Sequence, residues 1–102
     1  MLKVISLLKR KEGMTREEFY AWAKDQHPLL ARALPNLRGY RMNAARLDEP
    51  EAAFDAVYEM WFDDADAFDA AFATPHGQKT REDAMSHASQ RVHVRVEEFV
   101  FI

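Results

Sequence analysis

A histidine and a tyrosine in the first half of the chain have side chains suited to moving protons. His27 precedes Pro28 in a stretch whose apolar residues have helical spacing, and Tyr40 follows at the predicted start of a strand. An imidazole has an ordinary pKa of about 6.5, so small changes in its surroundings decide its charge at neutral pH. His27 is therefore a candidate general acid or base, and Tyr40 a candidate donor to a developing negative charge. The simpler roles are a histidine that binds free carbonyls at a helix break and a tyrosine that lines a wall.

Three side chains in the second half share one face of a predicted helix. His76, Asp83 and His87 are seven and four residues apart, so at about 100° per residue they fall within one narrow sector. Asp83 could hold the ring of His87 in one tautomer, or the three together could bind a metal. A threonine and a lysine lie between them, which makes a solvated helix face the favoured interpretation. We expect no metal here.

A predicted central strand offers two further candidates. Glu59 shares a strand face with Trp61, and a carboxylate there needs an arginine partner or a raised pKa. A cross-strand ion pair is the simpler role for Glu59, and a cavity acid is the alternative. Trp61 could stack on a planar ligand, although most aromatic residues belong to the core. In the last predicted strand, His93 shares a face with Arg95 and Glu97, which indicates a rim or interface residue.

The elements that must position these groups follow from periodicity and helix caps. Residues 2–9 predict a buried strand, and Thr15 with Glu18 forms a capping box that begins a helix. That helix should kink or restart near His27, because Pro28 lacks an N–H donor and crowds the preceding turn. The remaining elements are predicted strands over 37–46, 54–62 and 91–102 and helices that begin at Asp63 or Asp64 and at Thr74.

The element order β-α-β-β-α-α-β is that of a ferredoxin-like unit, an α+β fold whose helices cover one face of a four-stranded antiparallel sheet. Both faces carry apolar side chains. The third strand has Tyr58 and Met60 on one side and Val57 and Trp61 on the other, and the last strand has a row of valines on one side. A sheet that is apolar on both faces needs a second layer. We therefore expect a homodimer whose sheets pack face to face around a cavity, with residues 99–102 across the interface.

Composition excludes several classes of function. The 102 residues favour a single domain over 1–102, and 48% of them are apolar, enough for one core. The 14 basic and 17 acidic residues are well mixed, so no patch for nucleic acid or anionic lipid is expected. The chain has no cysteine, no Gly-rich phosphate loop and no nucleophile elbow. We expect a cytoplasmic protein without a secretory signal, a membrane segment or a dissociable cofactor.

Eight positions resemble a recurring pattern of the EthD-like family of small dimeric α+β barrel proteins. They are Phe19, Trp22, His27, Pro28, Leu29, Pro35, Leu37 and Tyr40. The resemblance covers nearly the whole chain and implies the same fold and dimer, with an acid at Asp83. The methylmuconolactone isomerases of the same superfamily are similar at His27 and Tyr40, which implies that this pair moves protons in a cofactor-free rearrangement. This chain departs from them in having no cysteine.

The leading hypothesis is a cofactor-independent enzyme that acts by proton transfer on an aromatic, phenolic or lactone-like molecule, as an isomerase, cyclase or monooxygenase. The catalytic candidates are His27, Tyr40 and Asp83, and the candidates for substrate binding are Trp61, Glu59 and His87. One alternative is a protein of the same fold that binds a hydrophobic metabolite without converting it. Others are a structural subunit whose cavity is filled by its own aromatic side chains and, less favoured, a haem-degrading monooxygenase.

Overall fold

A computed structural model describes all residues, 1–102, as a four-stranded antiparallel sheet with helices against one face. The strands are β1 (Leu2–Arg10), β2 (Gly39–Ala44), β3 (Ala56–Phe62) and β4 (Ala88–Val96), in the spatial order β2-β3-β1-β4. The helices are α1 (Arg16–Ala21), α2 (His27–Ala31), α3 (Ala65–Ala73) and α4 (Pro75–His87), and a π-helical turn (Trp22–Gln26) joins α1 to α2. The predicted α+β, ferredoxin-like fold is confirmed.

Alternation in the two central strands decides which face the helices cover. In β3 the even-numbered residues from Ala56 to Phe62 are buried, and so are those from Val4 to Leu8 in β1. Successive side chains of a strand point to opposite faces, so the odd-numbered residues lie on the side without helices. We call this second side the open face of the sheet.

The last strand ends earlier than the sequence predicts. β4 stops at Val96, and residues 97–102 have no regular structure and are exposed. The prediction of a strand to Ile102 was wrong because the tail has no strand to pair with. Val96 already lies opposite Lys3 near the start of β1, which is the only neighbour of β4. The second and third strands are also shorter than predicted, by two residues at each of three ends.

Three helices begin at the residues that the sequence predicts. The hydroxyl of Thr15 accepts from the N–H of Glu18, whose carboxylate accepts from the N–H of Thr15, so the capping box of α1 is complete. Asp64 caps α3 and Thr74 caps α4, each through its side-chain oxygen. The longest helix, α4, has 13 residues, and no helix has the length and hydrophobicity needed to span a bilayer.

The predicted interruption of the first helical segment takes the form of a π-helical turn. The turn covers Trp22–Gln26, and α2 then begins at His27 with Pro28 in its first turn. A proline there costs little, because first-turn N–H groups have no acceptor within the helix. The hydroxyl of Tyr58 donates to the carbonyl of Ala23 inside the turn, at 2.8 Å, and so ties it to the sheet.

A glycine sets the distance between α3 and α4. A Cβ atom on Gly77 would lie 2.1 Å from the carbonyl oxygen of Ala71 and 2.6 Å from Cα of Phe72. Both are backbone atoms, which cannot rotate away as a side chain can, so only glycine permits this approach. The contact matters for the site described below, because α4 also carries Asp83.

We expect Gly77→Ala to lower the free energy of unfolding by about 1–3 kcal/mol, the usual cost of overpacking. The sign is informative because alanine is favoured over glycine in a helix interior by about 1 kcal/mol. Gln78→Ala, at the exposed neighbouring position, is the control. Urea unfolding at one fixed protein concentration, followed by circular dichroism, measures both variants. Equal stability of the two would contradict the tight approach of α3 and α4.

Candidate functional site

A small cavity, with about 20 Å³ of room for the centre of a water molecule, lies between the sheet and the helices. The apolar core consists of two clusters, one around Trp22 and Tyr58 and the other around Phe62 and Phe68, and residues of both line the cavity. Its polar lining consists of Ser6, His27, Tyr40, Tyr58, Thr80, Arg91 and His93. His27 and Tyr40 both line this cavity, on the helix-covered side of the sheet within one chain and not on the face where a second copy would pack.

His27 is buried at the start of α2, with 6% of its surface exposed. Its Nδ1 lies 2.9 Å from Oδ2 of Asp83 on α4, whereas its Nε2 makes no hydrogen bond within the protein. A π-helical turn changes which residues of the following helix face inward, and such turns recur at functional sites. The helix break predicted from the sequence thus places the imidazole of His27 in the lining of the cavity.

Burial lowers the pKa of His27 below its ordinary value, and the nearby charges of Arg91 and His87 act in the same direction. The hydrogen bond and negative charge of Asp83 oppose this effect without reversing it. The ring is therefore neutral at pH 7. A carboxylate can only accept, so Nδ1 carries the proton and donates it to Asp83. Nε2 is left with the lone pair that a general base needs.

Asp83 has a second donor that the sequence did not reveal. The indole N–H of Trp22 donates to the same Oδ2, at 3.2 Å. His87 stacks on that indole, with ring centroids 4.2 Å apart, and its Nδ1 lies 3.7 Å from Oδ1 of Asp83. One possibility raised by the sequence was that Asp83 holds the ring of His87, but the carboxylate lies within hydrogen-bond distance of His27 instead. His87 supports Trp22 and does not line the cavity.

Two tyrosines form the wall of the cavity beside His27. The ring of Tyr58 meets that of His27 edge-on at 5.5 Å and stacks on that of Tyr40 at 5.7 Å. The hydroxyl of Tyr40 is buried without a hydrogen-bond partner. Burial also raises the pKa of Tyr40 well above its ordinary value, so the phenol keeps its proton. An unpaired buried hydroxyl destabilises the fold, and an acceptor on a bound ligand would satisfy it.

Glu59 and Trp61 lie on the open face of the sheet, away from His27. Both occupy odd-numbered positions of β3, so the alternation that buries Tyr58 turns them outward. Glu59 pairs with the ammonium group of Lys3 at 2.9 Å, and this hydrogen bond lowers its pKa. The ion-pair interpretation of Glu59 therefore holds, with a lysine in place of the expected arginine. The structure does not bring either residue to the cavity as a group for substrate binding.

His76 does not converge with the other two polar residues of its helix face. Its Nε2 lies 2.7 Å from the carbonyl oxygen of Leu30, so the ring links α4 to α2. No group of three histidine or acidic side chains is arranged to hold a metal ion.

His93 and Arg91 line the cavity, although the sequence pattern indicated a rim or interface position for His93. His93 lies opposite Ser6 and Arg91 opposite Leu8, so both belong to the helix-covered face. Burial, with help from Arg91, lowers the pKa of His93 to about 4, so its ring is neutral at pH 7. The available signal was the alternation in β4, in which valines occupy one face and longer polar side chains the other.

The protonation of His27 can be measured directly. In an NMR titration we expect the pKa of His27 to lie below 6.5 in the wild type. Asp83→Asn should lower it further, because the carboxylate favours the imidazolium form. Asp69→Asn, which removes an exposed partner of Arg95, is the matched control and should leave it unchanged. A higher pKa in Asp83→Asn would contradict the arrangement described here.

Comparison with known proteins places this geometry in a family. The EthD domain model matches residues 11–90. Among solved structures, an ethyl tert-butyl ether D (EthD) family protein from Bacillus halodurans has a TM-score of 0.81 and 27% sequence identity, with 97% of this chain and 99% of that chain covered. No curated protein matches the sequence.

Two more distant structures share the fold. A dimeric ferredoxin-like protein of unknown function from Thermobifida fusca has a TM-score of 0.73 and 20% identity, covering 93% of this chain and 88% of that chain. SnoaB, a cofactor-independent oxygenase from Streptomyces nogalater, has a TM-score of 0.71 and 13% identity, covering 99% and 95%. The resemblance seen in the sequence is thus confirmed by a family model that spans most of the chain, and the protein belongs to the EthD family.

Proposed function

We propose that the protein is a cofactor-independent enzyme in which His27 takes a proton from a small aromatic, phenolic or lactone-like molecule bound in the cavity. One observation carries the proposal. A buried, neutral imidazole is oriented by a carboxylate through Nδ1, while its Nε2 has no partner in the protein. A histidine that served only to satisfy a helix break would bind a carbonyl, as His76 does.

The proposed reaction begins with transfer of an acidic C–H or O–H proton of the substrate to Nε2 of His27. Asp83 stabilises the imidazolium that forms, and the electron pair left on the substrate moves onto an oxygen. The hydroxyl of Tyr40 is the donor for that oxygen, because it is buried, protonated and unpaired. Return of the proton to another atom gives an isomerisation. Attack of the carbanion on an electrophilic carbon of the same molecule gives a cyclisation.

The comparisons support this reaction class without naming the substrate. SnoaB is described as a cofactor-independent oxygenase and has the same fold over nearly its whole length. With dioxygen as the oxidant, the same deprotonated substrate would be the electron donor for an oxygenation. Function on a shared fold resides in the site, so the proposal rests on His27, Asp83 and Tyr40 and takes from SnoaB only the precedent.

We further propose a homodimer in which two open faces pack together. Val94 is 41% exposed there, in the same row as Val92 and opposite Ile5. Phe99 and Phe101 in the C-terminal tail are also largely exposed, and a second chain packed on the open face would bury both the valine row and the tail. The fold is shared with a ferredoxin-like protein from Thermobifida fusca that is described as dimeric.

A mass-spectrometric screen of phenolic and lactone compounds should reveal a substrate that the protein converts. We expect His27→Gln to lower turnover of that substrate by about 10²–10⁴-fold, the usual contribution of a general base. Gln78→Ala changes an exposed side chain of α4 outside the cavity and should leave turnover unchanged. A folded His27→Gln protein with wild-type turnover would exclude the proposed mechanism, and binding without any product would favour a carrier protein.

The dimer has a separate test. We expect Val94→Glu to convert a dimer into a monomer at micromolar concentration, because the substitution places a carboxylate in an apolar interface without a partner. Met85→Glu introduces the same charge at a 51% exposed position on α4 and should not change the assembly. Sedimentation velocity measures both variants. A wild-type protein that sediments as a monomer would contradict the proposed interface.

A further inference from the structure

We propose that the ligand of the cavity is an organic anion, a small aromatic or unsaturated carboxylate whose charged group binds the guanidinium of Arg91. The inference deepens the proposed function by naming the substrate class, and it rests on that proposal only in taking the same cavity as the substrate site.

Arg91 lines the cavity without a counter-ion. It lies on the helix-covered face of β4, and its guanidinium makes no ion pair and no hydrogen bond within the protein. Its one close aromatic contact is the ring of Phe72, 5.9 Å from its central carbon. Arg95 lies four residues further along β4 on the same face, and it pairs with Asp69. The unpaired arginine is thus the one that faces the cavity.

No negatively charged side chain lies beside Arg91 in the cavity, because the lining contains no aspartate and no glutamate. The carboxylate of Asp83 lies just outside and is already engaged by His27 and Trp22. Burial lowers the pKa of Arg91 to about 10, with repulsion from Arg81 as a second cause. A half-buried cation that is not compensated by the protein is costly, and an anionic ligand would reduce that cost.

The side chain of Arg91 suits a carboxylate in shape as well as in charge. A guanidinium presents parallel N–H donors that match the two oxygens of a carboxylate. Leu34, Met60 and Phe72 provide the apolar surface that the rest of the ligand needs. Carboxylate recognition at Arg91 would place the body of such a molecule along the lining that also contains His27 and Tyr40.

Binding of an anion would also change the base. The positive charge of Arg91 is one of the causes that lower the pKa of His27. The other charged or titratable groups that act on His27 are Asp83, which raises its pKa, and His87, which lowers it. A carboxylate on Arg91 would cancel part of the positive field, so His27 would become a stronger base when the ligand is bound. Substrate binding and proton removal would then be coupled.

Benzoate and benzamide test the inference, because they have nearly the same shape and differ in charge. We expect NMR titration of the wild-type protein to show benzoate binding about tenfold or more tightly than benzamide, the scale of a charge-assisted hydrogen bond. Arg91→Gln should abolish this preference. Arg95 lies on the same strand face but pairs with the exposed carboxylate of Asp69, so Arg95→Gln should retain the preference for benzoate.

A second readout does not depend on turnover. Saturation with benzoate should raise the pKa of His27 in the wild type, benzamide should not, and the rise should vanish in Arg91→Gln. If Arg91→Gln does not fold, the comparison of the two ligands on His27 of the wild type decides the question alone.

The outcomes separate this inference from the proposed function. Equal affinity for the two ligands, or a preference for benzoate that survives Arg91→Gln, would overturn the anion site and leave proton transfer by His27 untouched. A benzoate preference that depends on Arg91, in a protein whose His27→Gln variant retains full turnover, would keep the anion site and remove the proposed mechanism.

Discussion

The hydrogen bond between His27 and Asp83 is the contact on which the rest of the site depends. It joins α2 to α4, two helices that are far apart in the sequence, and it decides which imidazole nitrogen carries the proton. Trp22 holds the carboxylate from a second direction. Gly77 allows α4 to pack closely on α3, so the position of Asp83 follows from helix packing. The candidate base is therefore oriented by rigid elements and not by a loop.

The cavity occupies volume that core packing would otherwise fill. A chain of 102 residues has little apolar surface to spare, yet residues of both core clusters line a cavity that also contains polar side chains. The unpaired hydroxyl of Tyr40 and the uncompensated charge of Arg91 lie in that same space. Both groups destabilise the folded chain, and neither has a partner within the protein that would compensate for its burial. Their concentration at one place is typical of a binding or catalytic site.

The sequence predicted the elements, the fold and two of the cavity residues, His27 and Tyr40, because caps, periodicity and residue chemistry are local signals. It did not predict which strand face the helices cover. The alternation of side chains along β4 shows that Arg91 and His93 share a face, but only the pairing with β1 shows that the helices cover this face. The same limit explains why Trp61 was a candidate although it lies outside. The hydrogen bond from Trp22 to Asp83 left no signal, since an indole on an apolar helix face looks like core.

Neutron diffraction from a deuterium-exchanged crystal at pH 7 would test the central claim most directly, because it locates the protons of the buried imidazole. The account predicts deuterium on Nδ1 of His27, aimed at the ionised carboxylate of Asp83, and none on Nε2. Deuterium on both nitrogens would make the ring an imidazolium, and deuterium on Nε2 alone would remove the lone pair from the cavity. Either result would contradict a site organised around a neutral general base.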